Sequence, residues 1–304
     1  MGLMKIGLML PLAEDETDGF ADLRAMALAA EEGGLDSLWG ADHLIFREDG
    51  DTTGIHECWT VLTAVAAVTS RVTIGPLVLA LPFRNPALTA KMAAELDEVS
   101  GGRLVLGLGC GWHRPEFDAF GYPFDHRVSR FAEGLEILIP LLRGERVTFE
   151  GRYHRAADVE LRPPARRGGP PILIAGKGPR MLTLVARWAD QWNSAWYGRP
   201  AEATVLHQRL GDLAGAVEEA RRDPATLERT AGIFVAFDGA GADTPERAIR
   251  GSLDDVAASL AGYAELGVTH LIAHVFPRTV DAVLRLGEAA ALARERGGAA
   301  VPAG

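Results

Sequence analysis

Cysteine is almost missing from this chain. Two thiols, Cys58 and Cys110, stand in 304 residues, far apart and outside any Cys-x-x-Cys spacing. They suggest neither a disulfide framework nor a thiolate metal site, and a reducing cytoplasm is the expected setting. Lysine is nearly as scarce: among 31 basic residues only Lys5, Lys91 and Lys177 are lysines, and no basic block escapes the acidic residues around it. The formal net charge of −10 therefore argues against a nucleic-acid partner and for a small-molecule one. No apolar run approaches the roughly 18 residues of a membrane-spanning helix, so a membrane partner is not expected. A metal-dependent hydrolase would need several His and carboxylates converging, with a His-x-His early in the chain; no such cluster occurs, and no metal is expected. Few acids other than Asp42 fall at strand ends, which disfavours two-carboxylate glycosidase chemistry.

What the chain has instead is one order of elements, repeated. Val72 to Leu81 is a β-branched, non-alternating apolar run, the pattern of a strand buried on both faces of a parallel sheet. Asn85-Pro86 is a helix start, and the helix carries Leu88, Met92, Leu96 and Val99 at spacings of three and four before Gly101 and Gly102 stop it. Leu104 to Gly107 is the next strand, and Gly107, Gly109 and Gly111 at its exit offer a ligand bare backbone. The same order can be followed from end to end. Strands are expected at Lys5–Leu10, Ser37–Ala41, Ile172–Ile174, Gln191–Ala195, Ala231–Ala236 and His270–Val275. Helices follow them, the last over Val280–Glu295. Residues 143–168 are an insertion with a hairpin and a Pro-rich return, and residues 297–304 are a frayed tail on one domain spanning 1–304. Eight alternations fit an α/β fold of the (β/α)8 TIM-barrel type, which needs roughly 250 residues. A doubly wound sheet would want Gly-x-Gly-x-x-Gly after an early strand, where Pro11-Leu12-Ala13 stands.

In a barrel the working face is the carboxyl end of the strands. The polar and aromatic residues there are Asp42, His43, Arg84, Cys110, Trp112, His113, Lys177, Trp196, Tyr197, His274 and Phe276. That list, mostly aromatic and cationic, suits a flat aromatic ligand carrying a phosphate. Gly176-Lys177-Gly178-Pro179-Arg180 lies at a strand-to-helix junction, where free N–H groups and the helix dipole favour an anion. Taken singly, the glycines are also what a tight turn uses, and His43 or the three aromatics are also what packing uses. Arg130 is by default a surface charge.

These residues together resemble the luciferase-like monooxygenase superfamily and, within it, the branch of oxidoreductases that depend on the deazaflavin coenzyme F-420. The resemblance runs from Lys5 to Glu295 and rests on Leu38-Trp39-Gly40-Ala41-Asp42-His43, on Leu79 to Gly111, on Glu116-Phe117 with Phe120-Gly121, and on Gly176 to Arg180 with Ala189 to Asn193. It implies a bacterial-luciferase-like barrel with a deazaflavin, or alternatively FMN, at its carboxyl face, and a non-proline cis peptide near Leu77 and Val78. By position, Asp42, His43, Val78 and Ala80 would line the ring, and Cys110 and Gly111 would border the cofactor tail. Gly176, Lys177 and Gly178 would hold the phosphate with help from Arg130. His43 with Asp42 would act near the reacting carbon, and Trp112, Trp196 and His274 would wall the substrate pocket. Two departures stand out. Gln191 replaces a usual Gly, and Trp112 stands where the sugar-phosphate dehydrogenase of this branch has a Glu, which argues against a sugar-phosphate substrate.

The resemblance thus implies hydride transfer between the deazaflavin and a small organic substrate, with an FMN monooxygenase as the rival. A non-catalytic flavin binder and an unrelated phosphate-binding barrel are the readings from other classes. A homodimer is expected, from Ala87, Ala90, Ala93 and Ala94 beside the apolar stripe of the third helix; the same alanines could equally pack the barrel's own outer layer.

Overall fold

The structure, a computed structural model, describes residues 4–299. The chain opens with β1 (Lys5–Met9), α1 (Phe20–Glu32) and β2 (Ser37–Gly40), followed by a hairpin of β3 (Ile45–Glu48) and β4 (Asp51–Gly54). Next come α2 (Cys58–Val68), β5 (Thr73–Pro76), β6 (Leu79–Ala80), α3 (Pro86–Val99) and β7 (Leu106–Gly109). Two helices then follow in succession, α4 (Arg114–Phe120) and α5 (Arg127–Leu142), before a second hairpin of β8 (Val147–Glu150) and β9 (Arg155–Val159). The alternation resumes with β10 (Ile172–Ala175), α6 (Pro179–Trp188), β11 (Gln191–Tyr197), α7 (Thr204–Glu219), β12 (Glu228–Ala236), α8 (Leu253–Glu265), β13 (His270–Phe276) and α9 (Val280–Ala299).

Nine parallel segments pair in the order β5-β2-β1-β13-β12-β11-β10-β7-β6. Segments β5 and β6 are two halves of one strand, parted where the Leu77–Val78 peptide is cis, at the place the resemblance implied. A parallel bridge from Ile74 in β5 to Leu104, just before β7, closes the ring. The result is the expected (β/α)8 barrel, its third strand bent inward at the carboxyl end. Inside, Met9, Trp39, Val105, Leu173 and Ile272 fill the middle with apolar volume. That plug leaves the space above it, toward the strand ends, for a ligand.

The structure departs from the sequence reading in α3, in the segments after His43 and after Trp112, and at the end of α9. In α3 the buried side chains are Ala90, Ala93, Ala94 and Leu96, while Leu88 and Val99 are 58% and 53% exposed. The small side chains let this helix lie close to the barrel, so the alanines serve the protomer itself and the apolar stripe turns outward. The Asp-, Gly- and Thr-rich stretch after His43 is an ordered hairpin, and the segment after Trp112 contains helix α4. Helix α9 runs on through Gly297 and Gly298, because the packed Ala289, Ala290 and Ala293 anchor the turns before them against a propensity cost of about 1 kcal/mol per glycine. The rest of the expected tail, 300–304, lies outside the described residues.

Candidate functional site

At the carboxyl end of the barrel lies a cavity of about 1060 Å³. One wall is the bent third strand, and Asp42 keeps it in place. The Asp42 carboxylate, 4% exposed, accepts from the Ala80 N–H at 2.7 Å and from both terminal nitrogens of Arg84 at 2.6 and 2.7 Å. Burial works against the charge on Arg84, and the Asp42 carboxylate beside it more than offsets this, raising its pKa. Both oxygens of Asp42 are thereby engaged in tying the end of β2 to β6, and the side chain holds Ala80 in the cavity wall. Opposite the bend, a Cβ on Gly109 would come within 2.6 Å of a Val78 methyl. Gly109 therefore admits the bend itself, where the sequence had suggested backbone kept bare for a ligand. Gly111, at φ 69°, turns the chain past Phe117 into the site.

His43 leaves β2 on the cavity side. Its Nδ1 lies 3.0 Å from Oε1 of Glu116, a residue of the first turn of α4 that is 1% exposed, and Oε2 of the same carboxylate accepts from the Leu44 N–H at 2.9 Å. The Nε2 edge of His43 has no hydrogen-bond partner among the described residues, and the ring forms part of the cavity wall. Aromatic edges confine it: Phe46 at 4.7 Å and Trp112 at 5.6 Å between ring centroids. His113 stacks on Phe46, and its Nε2 accepts from the Arg47 N–H, which pins the hairpin β3–β4 over this corner.

The far end of the cavity is cationic. Helix α6 begins at Gly178 and helix α5 at His126, and neither N-terminus is closed by a side-chain cap. Arg180 bridges them by donating to Ser129 Oγ at 2.9 Å. A Cβ on Gly178 would meet nothing within 4 Å, so open space lies above backbone N–H groups with nothing capping them. Lys177, exposed beside them, has no ion-pair partner among the described residues. The indole N–H of buried Trp192 donates to the Gly176 carbonyl and fixes the loop from below. Cys110 borders this end, its thiol pushed up by burial against the opposing pull of Arg127. Arg130 is not among the residues lining the cavity: its guanidinium donates to Asp125 and lies over the Tyr153 ring.

The remaining wall is β11 and β13. Trp196 and His274 meet at 4.5 Å between ring centroids, with Phe234 behind them. Burial, with Arg278 nearby, pushes the His274 imidazole down to about 3, so it is neutral at physiological pH. Arg209 reaches in from α7, donating to Ser194 Oγ and to the Tyr197 hydroxyl, both at 2.8 Å.

A family model described as luciferase-like monooxygenase matches residues 4–296. The chain belongs to that family. Among its curated relatives, an F420-dependent hydroxymycolic acid dehydrogenase of Mycobacterium tuberculosis is 33% identical over 75% of this chain and 62% of its own length. An F420-dependent glucose-6-phosphate dehydrogenase of Amycolatopsis mediterranei is 31% identical over 78% of this chain and 70% of its own. The chain thus spans about two thirds of the length of these relatives. Among solved structures, an F420-dependent secondary alcohol dehydrogenase superposes with a TM-score of 0.79 at 19% identity, covering 96% of this chain and 99% of the other. A monooxygenase from Streptomyces bottropensis superposes with 0.76 at 23% identity, covering 96% and 98%. At those identities the likeness is one of fold.

Within this luciferase-like site the structure brings together Asp42, His43, Val78, Ala80, Cys110, Gly111, Trp112, Gly176, Lys177, Gly178, Trp196 and His274. Arg130 stays apart. The sequence reading did not single out Phe46, Glu116 or Arg209 as individual site residues. Glu116 had a signal, since it lies in a quoted motif; Arg209, in mid-helix, had none.

Proposed function

We propose that this chain is an oxidoreductase that moves a hydride between coenzyme F-420 and a small organic substrate carrying an alcohol or carbonyl carbon. The observation that carries the reading is the placing of His43: its ring, with Nε2 unpartnered among the described residues, lines a cavity whose other end presents two uncapped helix N-termini and Lys177. That polarity suits a flat ring bearing a phosphate. The bend at Val78 and Ala80 would lie against the ring, Cys110 and Gly111 along the tail, and Gly176, Lys177 and Gly178 around the phosphate. Trp112, Trp196 and His274 would enclose the substrate. When bound, the deazaflavin supplies the hydride acceptor or donor. His43 then takes or returns the accompanying proton at the substrate oxygen, and the aromatic wall excludes water.

The names of the curated relatives, dehydrogenases dependent on F420, support the deazaflavin. FMN is the rival occupant, with monooxygenase chemistry. Equilibrium titration with each cofactor separates the two: the proposal expects micromolar or tighter binding of coenzyme F-420. FMN binding in that range, with none for the deazaflavin, would sink it. Binding of neither would overturn both cofactor readings. Given cofactor binding, His43→Ala should lower kcat by roughly 10²-fold or more and leave cofactor affinity nearly unchanged. Full turnover in that variant would make His43 a packing residue; cofactor binding with no turnover in the wild-type protein would favour a non-catalytic flavin binder. No helix among the described residues is long and apolar enough to cross a membrane. We place the chain in the cytoplasm, which its two free thiols support, and as a homodimer that pairs through the outward stripe of α3.

A further inference from the structure

Glu116 is a carboxylate buried to 1% exposure, and no Arg or Lys lies within ion-pair distance of it among the described residues. Its partners are the His43 imidazole and the Leu44 N–H. A buried carboxylate without a fixed countercharge is costly to keep, and a neutral amide or hydroxyl would suffice merely to receive one backbone N–H. Its other contact gives the charge a purpose. An oxygen at 3.0 Å from Nδ1 that already accepts from Leu44 at its partner oxygen calls for a proton on Nδ1, and a neutral imidazole with Nδ1 protonated carries its lone pair on Nε2. The ring lines the cavity, and Nε2 is the nitrogen left without a partner among the described residues. The Phe46 and Trp112 rings keep the imidazole from turning over.

We propose that Glu116 is the positioning residue for His43: it holds the imidazole in the Nδ1–H form, aims the Nε2 lone pair at the substrate oxygen, and balances the positive charge that appears when Nε2 takes a proton. In the oxidative direction the substrate O–H bond breaks and its proton passes to Nε2, while the hydride leaves the same carbinol carbon for the cofactor. In the reductive direction the imidazolium returns that proton to the carbonyl oxygen. The inference rests on the proposed role of His43, and its first test does not depend on turnover.

Nitrogen NMR of the ¹⁵N-histidine-labelled protein, with His43 assigned by comparison with His43→Ala, reads the tautomer directly. The expected signature is a protonated Nδ1 beside an unprotonated Nε2 at a pH where the ring is neutral. The opposite tautomer, or an even mixture of the two, overturns the lock whether or not His43 proves catalytic. Glu116→Gln offers Nδ1 an amide donor, and the expected result is a shift toward the Nε2–H form. With it kcat should fall by about 10²-fold while the cofactor Kd stays within about twofold. In the double variant, His43→Ala with Glu116→Gln, turnover should be no lower than in His43→Ala alone, since a positioning residue has nothing left to position. Independent, multiplying losses would make Glu116 a packing element and overturn the proposal. If Glu116→Gln does not fold, the tautomer of the wild-type protein still decides.

Discussion

His270 is the clearest case of a single side chain whose state the fold dictates. It is 3% exposed at the amino end of β13, with Nε2 at 2.7 Å from Ser37 Oγ, and that hydroxyl accepts from the Trp39 indole. Burial, with Lys5 adding repulsion, lowers its pKa to about 3. The sign of the consequence follows. Between the ordinary value near 6.5 and about 3 the unfolded chain binds a proton that the folded one refuses, so stability is full above pH 6.5 and drains away as the pH falls through that window. The loss should be on the order of 1 kcal/mol per pH unit. Urea unfolding at several pH values between 4 and 7 measures it. In His270→Gln, which keeps a partner for Ser37, the slope should be shallower by about that amount; an unchanged slope would mean that His270 titrates normally. None of this was legible beforehand, because a His inside a strand looks the same whether its ring faces Ser37 or water. Asp42 and His43 were both legible as end-of-strand residues, yet their division of labour was not. It depends on Arg84 and Glu116, which lie 42 and 73 residues further along the chain.

At the level of elements, the two helix N-termini at the cationic end of the cavity differ in what their cations are free to do. Lys177 precedes α6 on an open, uncapped backbone, whereas Arg130, inside the first turn of α5, is committed to Asp125 and Tyr153. Lys177→Ala should therefore weaken a phosphate-bearing cofactor by about 1.5 kcal/mol, the low end for a charge-assisted bond because the side chain is exposed. Arg130→Ala should leave affinity within about twofold. Fluorescence titration of both variants is the check, and equal losses would place Arg130 on the ligand after all. The buried strands and the capped start of α3 could be recognised in the sequence because local rules determine them: Asn85 accepts from the Ala87 and Leu88 N–H groups as an N-cap should. The hairpin β3–β4 was not. Its strands are only four residues each, Asp51 and Gly54 among them are poor strand formers, and the hairpin owes its position to long-range contacts, among them the bond from the Arg47 N–H to His113.

For the molecule as a whole, the orientation of α3 decides what its surface can do. The alanine side of that helix is spent inside the protomer, so it cannot also be the contact between two copies. Leu88 and Val99, eleven positions apart and hence three turns along one face, stay more than half exposed, with half-buried Met92 between them. An apolar stripe of this kind, set beside the Lys91–Glu95 ion pair, is a surface that gains by being covered. Pairing two such helices across a two-fold axis would bury the stripe against itself, since an isologous contact presents the same patch twice. Light scattering at low micromolar concentration should then report twice 32.5 kDa for the native chain. Leu88→Asp should return it to 32.5 kDa, because two carboxylates would face each other across the axis. The site lies at the strand ends and α3 on the barrel's outer surface, so that variant should retain cofactor binding. A native species of 32.5 kDa would reject the dimer, and a dimer indifferent to Leu88→Asp would move the interface to another face.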